Sequence, residues 1–147
     1  MNLNRDQAAE MLRKAGLKAT AQRVAILRTV WGDETHPTAQ QLLDRLSTRQ
    51  PGTNFATVYN TLNALTRVGL LRQMDVGGPT RFDPNAEPHH HAICDLCGTV
   101  RDVAVDPGGP ERSLRLEGFE VHRVERTYRG TCDRCSSRQR SRKQQEG

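Results

Sequence analysis

Apolar residues in the first half of the chain recur every three or four positions, which is the spacing of amphipathic helices. The apolar stripes of the four predicted helices are, in chain order, Ala8-Met11-Leu12-Ala15, Val24-Leu27-Trp31, Leu42-Leu43-Leu46 and Val58-Leu62-Leu65. Thr20 and Thr38 are positioned to cap the second and third helices, while Gly16 and Gly69 are positioned to end the first and fourth. The pattern therefore predicts a helical domain at the start of the chain.

The pattern changes after the fourth helix, which is predicted over residues 55–68. Residues 70–74 and 80–82 have the composition of strands, and the Gly-Gly-Pro sequence at 77–79 is typical of a turn between them. Helices followed by a two-stranded ribbon indicate a winged helix, in which the fourth helix is the recognition helix. Residues 1–83 are therefore predicted to form a winged-helix DNA-binding domain.

A second, smaller domain is predicted over residues 89–136, after a proline-containing hinge at 84–88. Its predicted elements are strands at 92–94, 99–105 and 119–128 and a short helix at 112–117. Because this α/β domain has few apolar residues, a sheet edge shared with a second copy would bury more surface, and a homodimer is predicted. The whole chain is assigned to the α+β class.

Composition and charge suggest the kind of partner. The chain has 147 residues, a formal net charge of +5 and a pI near 9.4, which indicates an anionic partner. Much of the positive charge lies in residues 137–147, which are interpreted as a solvated, disordered tail. The basic residues of that tail are Arg138, Arg140, Arg142 and Lys143. No long apolar run or signal peptide is present, so no membrane association and a cytoplasmic location are expected.

The predicted recognition helix has a polar face that suits nucleic acid. The residues of this face are Ala56, Tyr59, Asn60, Asn63 and Arg67. Amides, a hydroxyl and a cation with few carboxylates fit the phosphates and base edges of double-stranded DNA, although an ordinary solvated helix face has a similar composition. The other cations expected to contact phosphates are Lys18, Arg23, Arg72 and Arg81.

The four cysteines form two Cys-x2-Cys pairs, Cys94 with Cys97 and Cys132 with Cys135. In a cytoplasmic chain such pairs are more often metal ligands or redox thiols than disulfides. Four thiolates arranged in a tetrahedron form a closed structural zinc site, so one Zn²⁺ per subunit is predicted. A thioredoxin-like redox pair and two unrelated thiol pairs are the alternatives.

Histidines and carboxylates predict a second metal centre of different chemistry. Alternation along a strand places His89 and His91 on one face, where Asp102 of a neighbouring strand can reach them. Asp83 lies by the hinge and His36 between two helices. Three imidazoles and two carboxylates favour Fe²⁺ or Mn²⁺ more than an all-sulfur site does. The same residues also have simpler interpretations as turn formers, a helix-entry residue and surface histidines.

Several motifs occur in order along most of the chain. They are Lys18-Ala-Thr-Ala-Gln-Arg23, His36-Pro-Thr-Ala39, Ala56-Thr-Val-Tyr-Asn60, Gly69-Leu70, Thr80-Arg-Phe-Asp83 and His89-x-His-Ala-Ile-Cys-x2-Cys-Gly98. Over residues 12–135 the chain resembles the ferric uptake regulator (Fur) family of dimeric, metal-dependent bacterial DNA-binding repressors. The resemblance implies a winged-helix domain followed by an α/β dimerisation domain, and the 56–60 motif adds Thr57 to the DNA-binding candidates.

Within that family the residues are most similar to the peroxide-sensing PerR branch. His36, Asp83, His89, His91 and Asp102 occupy the positions of its regulatory site one by one. The resemblance implies that bound Fe²⁺ reacts with H₂O₂ and that His36 and His89 are the oxidation-sensitive ligands, whereas Mn²⁺ supports repression without this chemistry. The alternative is an iron- or manganese-level regulator without peroxide sensing.

Other classes of function are less consistent with the sequence. A non-haem metalloenzyme needs a substrate pocket and a general base near the metal, and no motif marks either, so the chain is predicted not to be an enzyme. A metal-buffering or scaffold protein would not need the predicted recognition helix. His90 and His122 lack a complete set of partners in either centre and are interpreted as surface residues.

Overall fold

The computed structural model describes residues 2–85, 87–105, 116–121 and 124–146. They fall into two compact units, divided between residues 86 and 87. The division lies inside the segment that the sequence marks as a hinge. None of the helices in the described ranges is long and apolar enough to cross a membrane.

Four helices build the first unit. They are α1 (Arg5–Lys14), α2 (Ala21–Val30), α3 (Ala39–Leu46) and α4 (Phe55–Arg67). The predicted caps at Thr20 and Thr38 are confirmed, because each hydroxyl accepts a hydrogen bond of 3.2 Å from the backbone N–H three residues later. Gln41 completes a capping box by accepting a hydrogen bond of 2.9 Å from the Thr38 N–H. Gly69 follows α4 with a φ of 78°, a conformation that favours glycine.

The hydrophobic core of the first unit lies between these helices and a short hairpin. Strands β1 (Arg72–Met74) and β2 (Arg81–Asp83) pair antiparallel. Phe82 of β2 is fully buried in the same cluster as Leu27 of α2 and Leu62 of α4. The predicted winged helix is therefore confirmed, and the hairpin packs its aromatic residue into the helical core.

Truncation of the core residue Leu62 to alanine is expected to destabilise the first unit by about 2–5 kcal/mol, because it removes buried atoms and leaves a cavity. Leu62 has no exposed surface. The measurement is chemical denaturation followed by circular dichroism, with zinc kept bound. Val68, which is 37% exposed at the end of α4, gives the matched control. Val68→Ala is expected to change stability by less than about 0.5 kcal/mol, and equal losses in the two variants would contradict the assigned core.

The described part of the second unit is a three-stranded sheet and a helix that follows it. Its elements are β3 (His89–Cys94), β4 (Val100–Ala104), β5 (Thr127–Gly130) and α5 (Asp133–Gln145). The central strand β3 is antiparallel to β4 and parallel to β5. The buried apolar residues among its described positions are Ile93, Cys94, Val100 and Cys135. A core of this size, as far as the described residues form it, does not stabilise a domain by itself.

The long strand predicted over residues 119–128 is wrong. Among the described residues of that segment, those from Thr127 onward pair with β3, whereas Leu116 and Phe119 form a separate isolated bridge around a turn. Gly118, in the turn just before the predicted strand, has a φ of 72°, a conformation that favours glycine. The helix predicted over 112–117 lies mainly outside the described residues.

The disordered tail predicted from residue 137 is also wrong as far as residue 145, because α5 continues through it. Arg, Gln and Lys have high helix propensity, so this composition is compatible with a helix. Cys132 is the N-cap of α5 and Cys135, in its first turn, is buried. Fixing the first turn offsets the nucleation cost that makes short polar helices unstable in water.

Candidate metal centres and nucleic-acid interface

The four cysteines come together in the second unit. Cys94 ends β3, Cys97 lies in the following turn, and Cys132 and Cys135 lie at the start of α5. Their sulfur atoms all lie within 4.8 Å of one another, all four are free thiols, and Cys97 Sγ is 3.8 Å from Cys132 Sγ. Four sulfurs placed tetrahedrally at about 2.3 Å from a zinc ion would be about 3.8 Å apart. The cluster therefore fits the zinc site predicted from the two pairs.

Backbone hydrogen bonds hold the two cysteine pairs in place. The Cys132 N–H donates to Cys94 Sγ at 3.3 Å, and the Asp95 N–H donates to the Gly130 carbonyl at 2.9 Å. The Gly98 N–H donates to the Cys94 carbonyl at 2.8 Å and closes the turn of the first pair. The thiols thus belong to a folded frame that joins β3, β5 and α5.

The thiols of this cluster differ in acidity. Hydrogen bonds from the Thr99 hydroxyl and amide lower the pKa of Cys97 to about 6, by stabilising its thiolate. The neighbouring Cys132 sulfur, together with burial, raises the pKa of Cys135 to about 12. Four thiolates side by side repel one another, so a divalent cation is the group that permits all four to ionise together.

Three of the predicted regulatory ligands converge in the second unit. His91 and Asp102 are paired between β3 and β4, and His89 lies on the same face of β3. The Nε2 atoms of His89 and His91 are 2.9 Å apart, and Asp102 Oδ1 is 3.4 Å from the first and 3.6 Å from the second. His89 Nδ1 lies 2.6 Å from the Glu87 carbonyl, so a proton on Nδ1 leaves the Nε2 lone pair facing this cluster. Two imidazoles and a carboxylate on one face are a typical metal-binding arrangement.

His90 is buried, which corrects its predicted surface position. Its Nδ1 accepts a hydrogen bond of 3.1 Å from the Arg126 N–H, and its ring meets Tyr128 edge-on with centroids 6.2 Å apart. The ring is covered by the segment that contains β5. The prediction was wrong because the sequence does not show that β5 pairs in parallel with β3. His122 lies outside the described residues.

The other two predicted regulatory ligands meet in the first unit. His36 Nε2 is 3.5 Å from Asp83 Oδ2, and the two side chains are 0% and 2% exposed. Asp83 ends β2, and its Oδ1 accepts a hydrogen bond of 2.8 Å from the Asn85 N–H. Buried charged groups require partners, and an imidazole facing a carboxylate is a pair that can hold a cation.

The backbone at His36 is strained. Its φ is 54°, the one positive value at a non-glycine residue in the described ranges, and such a conformation costs about 1–3 kcal/mol. Arg81 Nη1 donates to the His36 carbonyl at 3.1 Å, and the Phe82 N–H donates to the Pro37 carbonyl at 3.0 Å. These bonds fasten the segment before α3 to β2, the strand that carries Asp83. The strained conformation therefore places imidazole and carboxylate side by side.

The predicted nucleic-acid face of α4 is largely accessible. Ala56, Tyr59, Asn60 and Arg67 are exposed. Asn63 is half-buried, and its Oδ1 accepts a hydrogen bond of 2.7 Å from Gln73 Nε2 on β1. The helix and the hairpin are thus tied together at this residue.

Sequence reasoning missed Phe55, which is 46% exposed at the start of α4. It stacks on Tyr59, with ring centroids 5.9 Å apart and planes 15° apart. The signal was available in the sequence, because residues four apart on a helix lie on the same face. An exposed aromatic pair on a recognition helix can contact thymine methyl groups.

The remaining DNA-binding candidates differ in exposure. Lys18 is exposed, whereas the half-buried ones are Arg23, Thr57, Arg72 and Arg81. Arg23 Nη1 donates to the Lys18 carbonyl at 3.3 Å, and Arg81 Nη1 donates to the His36 carbonyl. Both guanidinium groups therefore also stabilise the first unit itself.

Comparison with known proteins agrees with this fold. Residues 14–128 match the ferric uptake regulator family. The peroxide-responsive repressor PerR of Staphylococcus aureus (strain Mu50) is 33% identical over 138 residues, which cover 90% of this chain and 92% of that protein. The Campylobacter jejuni peroxide stress regulator is similar in structure, with a TM-score of 0.68 and 28% identity over 86% of this chain and 97% of that chain.

The Helicobacter pylori ferric uptake regulator Fur has a TM-score of 0.76 and 23% identity, covers 92% of this chain and 97% of its own, and shows the same fold. The matches span both the winged helix and the metal-binding sheet. This chain therefore belongs to the ferric uptake regulator family, whose members are metal-responsive transcription regulators and not enzymes.

Proposed function

We propose that this chain is a DNA-binding repressor that senses peroxide through a metal ion held by His36, Asp83, His89, His91 and Asp102. The observation that carries the proposal is the chemistry of these donors, which are three imidazoles and two carboxylates with no thiol among them. The similarity to the peroxide-responsive repressor of S. aureus supports it. The DNA-binding face of α4 is the proposed output of the site.

The proposal joins the pair in the first unit to the triad in the second. Asp83 and His89 are six residues apart in the chain. A chain of this length spans at most about 20 Å, so the hinge holds the two ligand groups at high effective concentration for one ion. The two carboxylates offset the charge of a divalent cation. The completed centre is then neutral, which suits ligands as buried as His36 and Asp83.

The donor set supports Fe²⁺ or Mn²⁺ as the regulatory metal. Carboxylate oxygens suit these ions, whereas soft thiolates suit zinc, and the thiols of this chain are gathered in the separate Cys94/Cys97/Cys132/Cys135 cluster. We propose that this cluster holds one structural Zn²⁺ per subunit. Imidazole groups also bind Cu²⁺ and Zn²⁺ tightly, so selectivity at the regulatory site rests on geometry and on metal availability.

The proposed partner is a double-stranded DNA operator bound by a homodimer. The exposed face of α4, with Tyr59 and Asn60 at its centre, would read base edges in the major groove. The second unit is the proposed dimer contact, because Phe119 and Tyr128 are 68% and 47% exposed and the core formed by its described residues is small. A second copy packed there would bury this apolar surface.

Metal binding would control DNA binding through the hinge. An ion held by ligands of both units favours one arrangement of α4 relative to the sheet, and thereby one spacing of the two α4 helices in a dimer. A typical allosteric coupling is about 1–3 kcal/mol, whereas a nearly complete switch needs about 5.5 kcal/mol. Both subunits would therefore need to lose or gain the metal for a decisive response.

Peroxide sensing requires oxidation of a ligand. When bound, Fe²⁺ supplies the chemistry that reduces H₂O₂, whereas Mn²⁺ occupies the same donors without it. In the net reaction one peroxide oxygen enters an imidazole C–H bond and the other leaves as water, so the ring loses two electrons and the peroxide gains two. We propose His36 and His89 as the oxidised residues, and an oxidised ring binds the metal less well.

The decisive experiment compares the zinc-loaded protein with Fe²⁺ and with Mn²⁺, before and after a low dose of H₂O₂. The probe is a duplex selected from a random pool with the Mn²⁺ form, and peptides from the same samples are analysed by mass spectrometry. We expect the Fe²⁺ form to bind at least tenfold more weakly after peroxide and to gain one oxygen at His36 or His89. The Mn²⁺ form, which is the control, is expected to keep both its affinity and its mass.

Two outcomes would overturn parts of the proposal. Retention of DNA by both forms with no oxidised histidine would make the protein a regulator of iron or manganese level, without peroxide sensing. If no duplex is selected and binding does not depend on metal, the repressor function itself is wrong.

A further inference from the structure

Helix α5 is strongly basic, and most of its side chains are exposed. The basic side chains between its first and last residues are Arg134, Arg138, Arg140, Arg142 and Lys143, and Asp133 is its one acidic residue. Cys135 is its buried residue. The helix therefore presents charge to solvent on nearly every side.

Three of these arginines lie in a row, which we call the arginine stripe: Arg134, Arg138 and Arg142. Residues four apart lie about 40° apart around a helix and about 6 Å apart along it, so the stripe extends about 12 Å along one face. No carboxylate in the described ranges lies within 4.0 Å of these guanidinium groups. Arg140, which points to another face, differs because its Nη2 lies 3.4 Å from Ser136 Oγ.

Such a stripe is not typical of a merely solvated helix face. Like charges at positions i and i+4 destabilise a helix, whereas opposite charges at this spacing stabilise it. The exposed face of helix α1 follows the usual rule, since Lys14 forms an ion pair of 3.1 Å with Glu10. In α5 the same spacing brings arginine next to arginine twice, and a polyanion along the stripe would relieve that repulsion.

We propose that the arginine stripe binds the phosphate backbone of duplex DNA, in addition to the contacts made by α4. This inference rests on the proposed DNA-binding function and extends it to a second element. Along about 12 Å a DNA strand has three to four phosphates, one for every 3.4 Å or so of helix axis. Arginine suits them because its planar guanidinium group donates two parallel hydrogen bonds.

The composition of α5 makes duplex DNA a better partner than a lipid surface or a single-stranded nucleic acid. The helix contains no Leu, Ile, Phe or Trp, so it lacks the apolar face with which an amphipathic helix enters a lipid surface. It also contains no aromatic residue on which the bases of a single strand could stack. Phosphate contact without base stacking or apolar insertion is the mode expected for a duplex backbone.

The zinc cluster gives the stripe a defined position. Cys132 and Cys135 bound to the cluster would fix the first turn of α5, and Arg134 lies between them. The stripe therefore extends outward from a rigid base instead of belonging to a flexible tail. Its contribution is independent of sequence, so it is expected to raise affinity for operator and random DNA alike.

The test is the salt dependence of binding to a random-sequence duplex, measured by fluorescence anisotropy with full-length, zinc- and Mn²⁺-loaded protein. The stripe variant is Arg138→Gln with Arg142→Gln, which leaves the residues next to the cysteines unchanged. The matched control is Arg140→Gln with Lys143→Gln, which removes the same charge from other faces of the same helix. Zinc content and circular dichroism confirm that both variants are folded.

Each lost phosphate contact makes the negative slope of log K against log salt shallower by about 0.9 and weakens binding at 0.1 M salt about eightfold. The stripe variant loses two such contacts, so we expect its slope to be shallower by about 1.8 and its binding to be weaker by at least tenfold. The control is expected to change the slope by less than half as much. Equal changes in both variants, or a parental slope in the stripe variant, would overturn the proposal.

The selected operator duplex separates this proposal from the proposed function. If the parent binds it in a metal-dependent way while the stripe variant keeps the parental slope, α5 is a solvated helix and the repressor function stands. If no duplex depends on metal but random DNA binding falls in the stripe variant, the regulatory proposal fails and the α5 site stands.

Discussion

Replacing Cys97 with serine is expected to remove the bound zinc and to unfold the second unit. Cys97 is the exposed member of the thiol cluster, but its sulfur lies 3.8 Å from Cys132 Sγ and 3.1 Å from the Thr99 hydroxyl. Zinc binding contributes roughly 10–16 kcal/mol to the folding of zinc-finger peptides, which is as large as the whole stability of a typical small domain. The measurements are the zinc stoichiometry and the hydrogen-exchange protection of β3, β4 and β5.

The first unit is expected to remain folded in this variant. Its core, which includes Leu27, Leu62 and Phe82, is complete within residues 1–86. The circular dichroism signal should therefore fall only in part, and the dimer should dissociate. A stable dimer with stoichiometric zinc and a protected sheet would contradict the four-thiol assignment.

The control for this variant is Leu96→Ser. Leu96 lies in the same turn, is 56% exposed and offers no strong ligand. The substitution introduces the same residue into the same backbone segment, so zinc content and sheet protection should be unchanged. If Leu96→Ser also loses zinc, disruption of the turn and not loss of a sulfur ligand would be the cause.

The sequence could predict those parts of the fold that depend on neighbouring residues. Thr20 and Thr38 cap helices because each hydroxyl accepts a hydrogen bond from the free backbone N–H three residues later. This interaction does not depend on residues distant in sequence. The pairing of His91 with Asp102 across β3 and β4 follows from a short connection and strict alternation. Local chemistry of this kind can be inferred from the amino-acid sequence alone.

The sequence-based predictions were wrong where contacts between residues distant in sequence determine the structure. β5 pairs in parallel with β3 although more than thirty residues separate them, and no local pattern indicates which part of 119–128 does so. His90 is buried for the same reason, because β5 supplies its cover. The positive φ of His36 could not be predicted from local sequence either. The hydrogen bonds that hold this segment come from Arg81 and Phe82, which are more than forty residues away in the chain.

The helix in the basic tail illustrates a different limit. Its composition, rich in Arg, Ser and Gln, is shared by disordered segments and by solvated helices. What distinguishes them here is the cysteine cluster at its start, which fixes the first turn. The cysteine pair thus determines the structure of the basic segment that follows it. The composition of that segment alone does not indicate this effect.

The two proposed metal centres would serve separate purposes. The thiol cluster lies wholly within the second unit, where a bound zinc ion would add to the few buried apolar residues that the structure describes there. The proposed histidine and carboxylate ligands are divided between the two units, so a metal ion shared by them would couple the units instead of replacing a core. A substitution in the first centre should therefore affect folding, and one in the second should affect regulation.

Replacing His36 with alanine is expected to abolish metal-dependent operator binding while zinc and the dimer are retained. His36 is fully buried and faces Asp83 at 3.5 Å in the first unit, far in sequence from the cysteines. Loss of one ligand should weaken Mn²⁺ binding. It would also leave Asp83 as the remaining proposed ligand from the first unit, so the metal ion would couple the two units less strongly. The measurements are Mn²⁺ affinity by calorimetry and operator binding by anisotropy, in which we expect at least a tenfold loss of each.

The strained backbone at His36 requires a second variant, because alanine changes both the ligand and the conformation. His36→Asn keeps a residue that tolerates a positive φ, and asparagine is a poor replacement for imidazole as a ligand. If the imidazole binds the metal, both variants should lose operator binding, and excess Mn²⁺ should restore part of it. Recovery of DNA binding in His36→Asn at the parental Mn²⁺ concentration would mean that His36 acts through the backbone. Normal operator binding by His36→Ala would contradict the coupling of the two units through a shared metal ion.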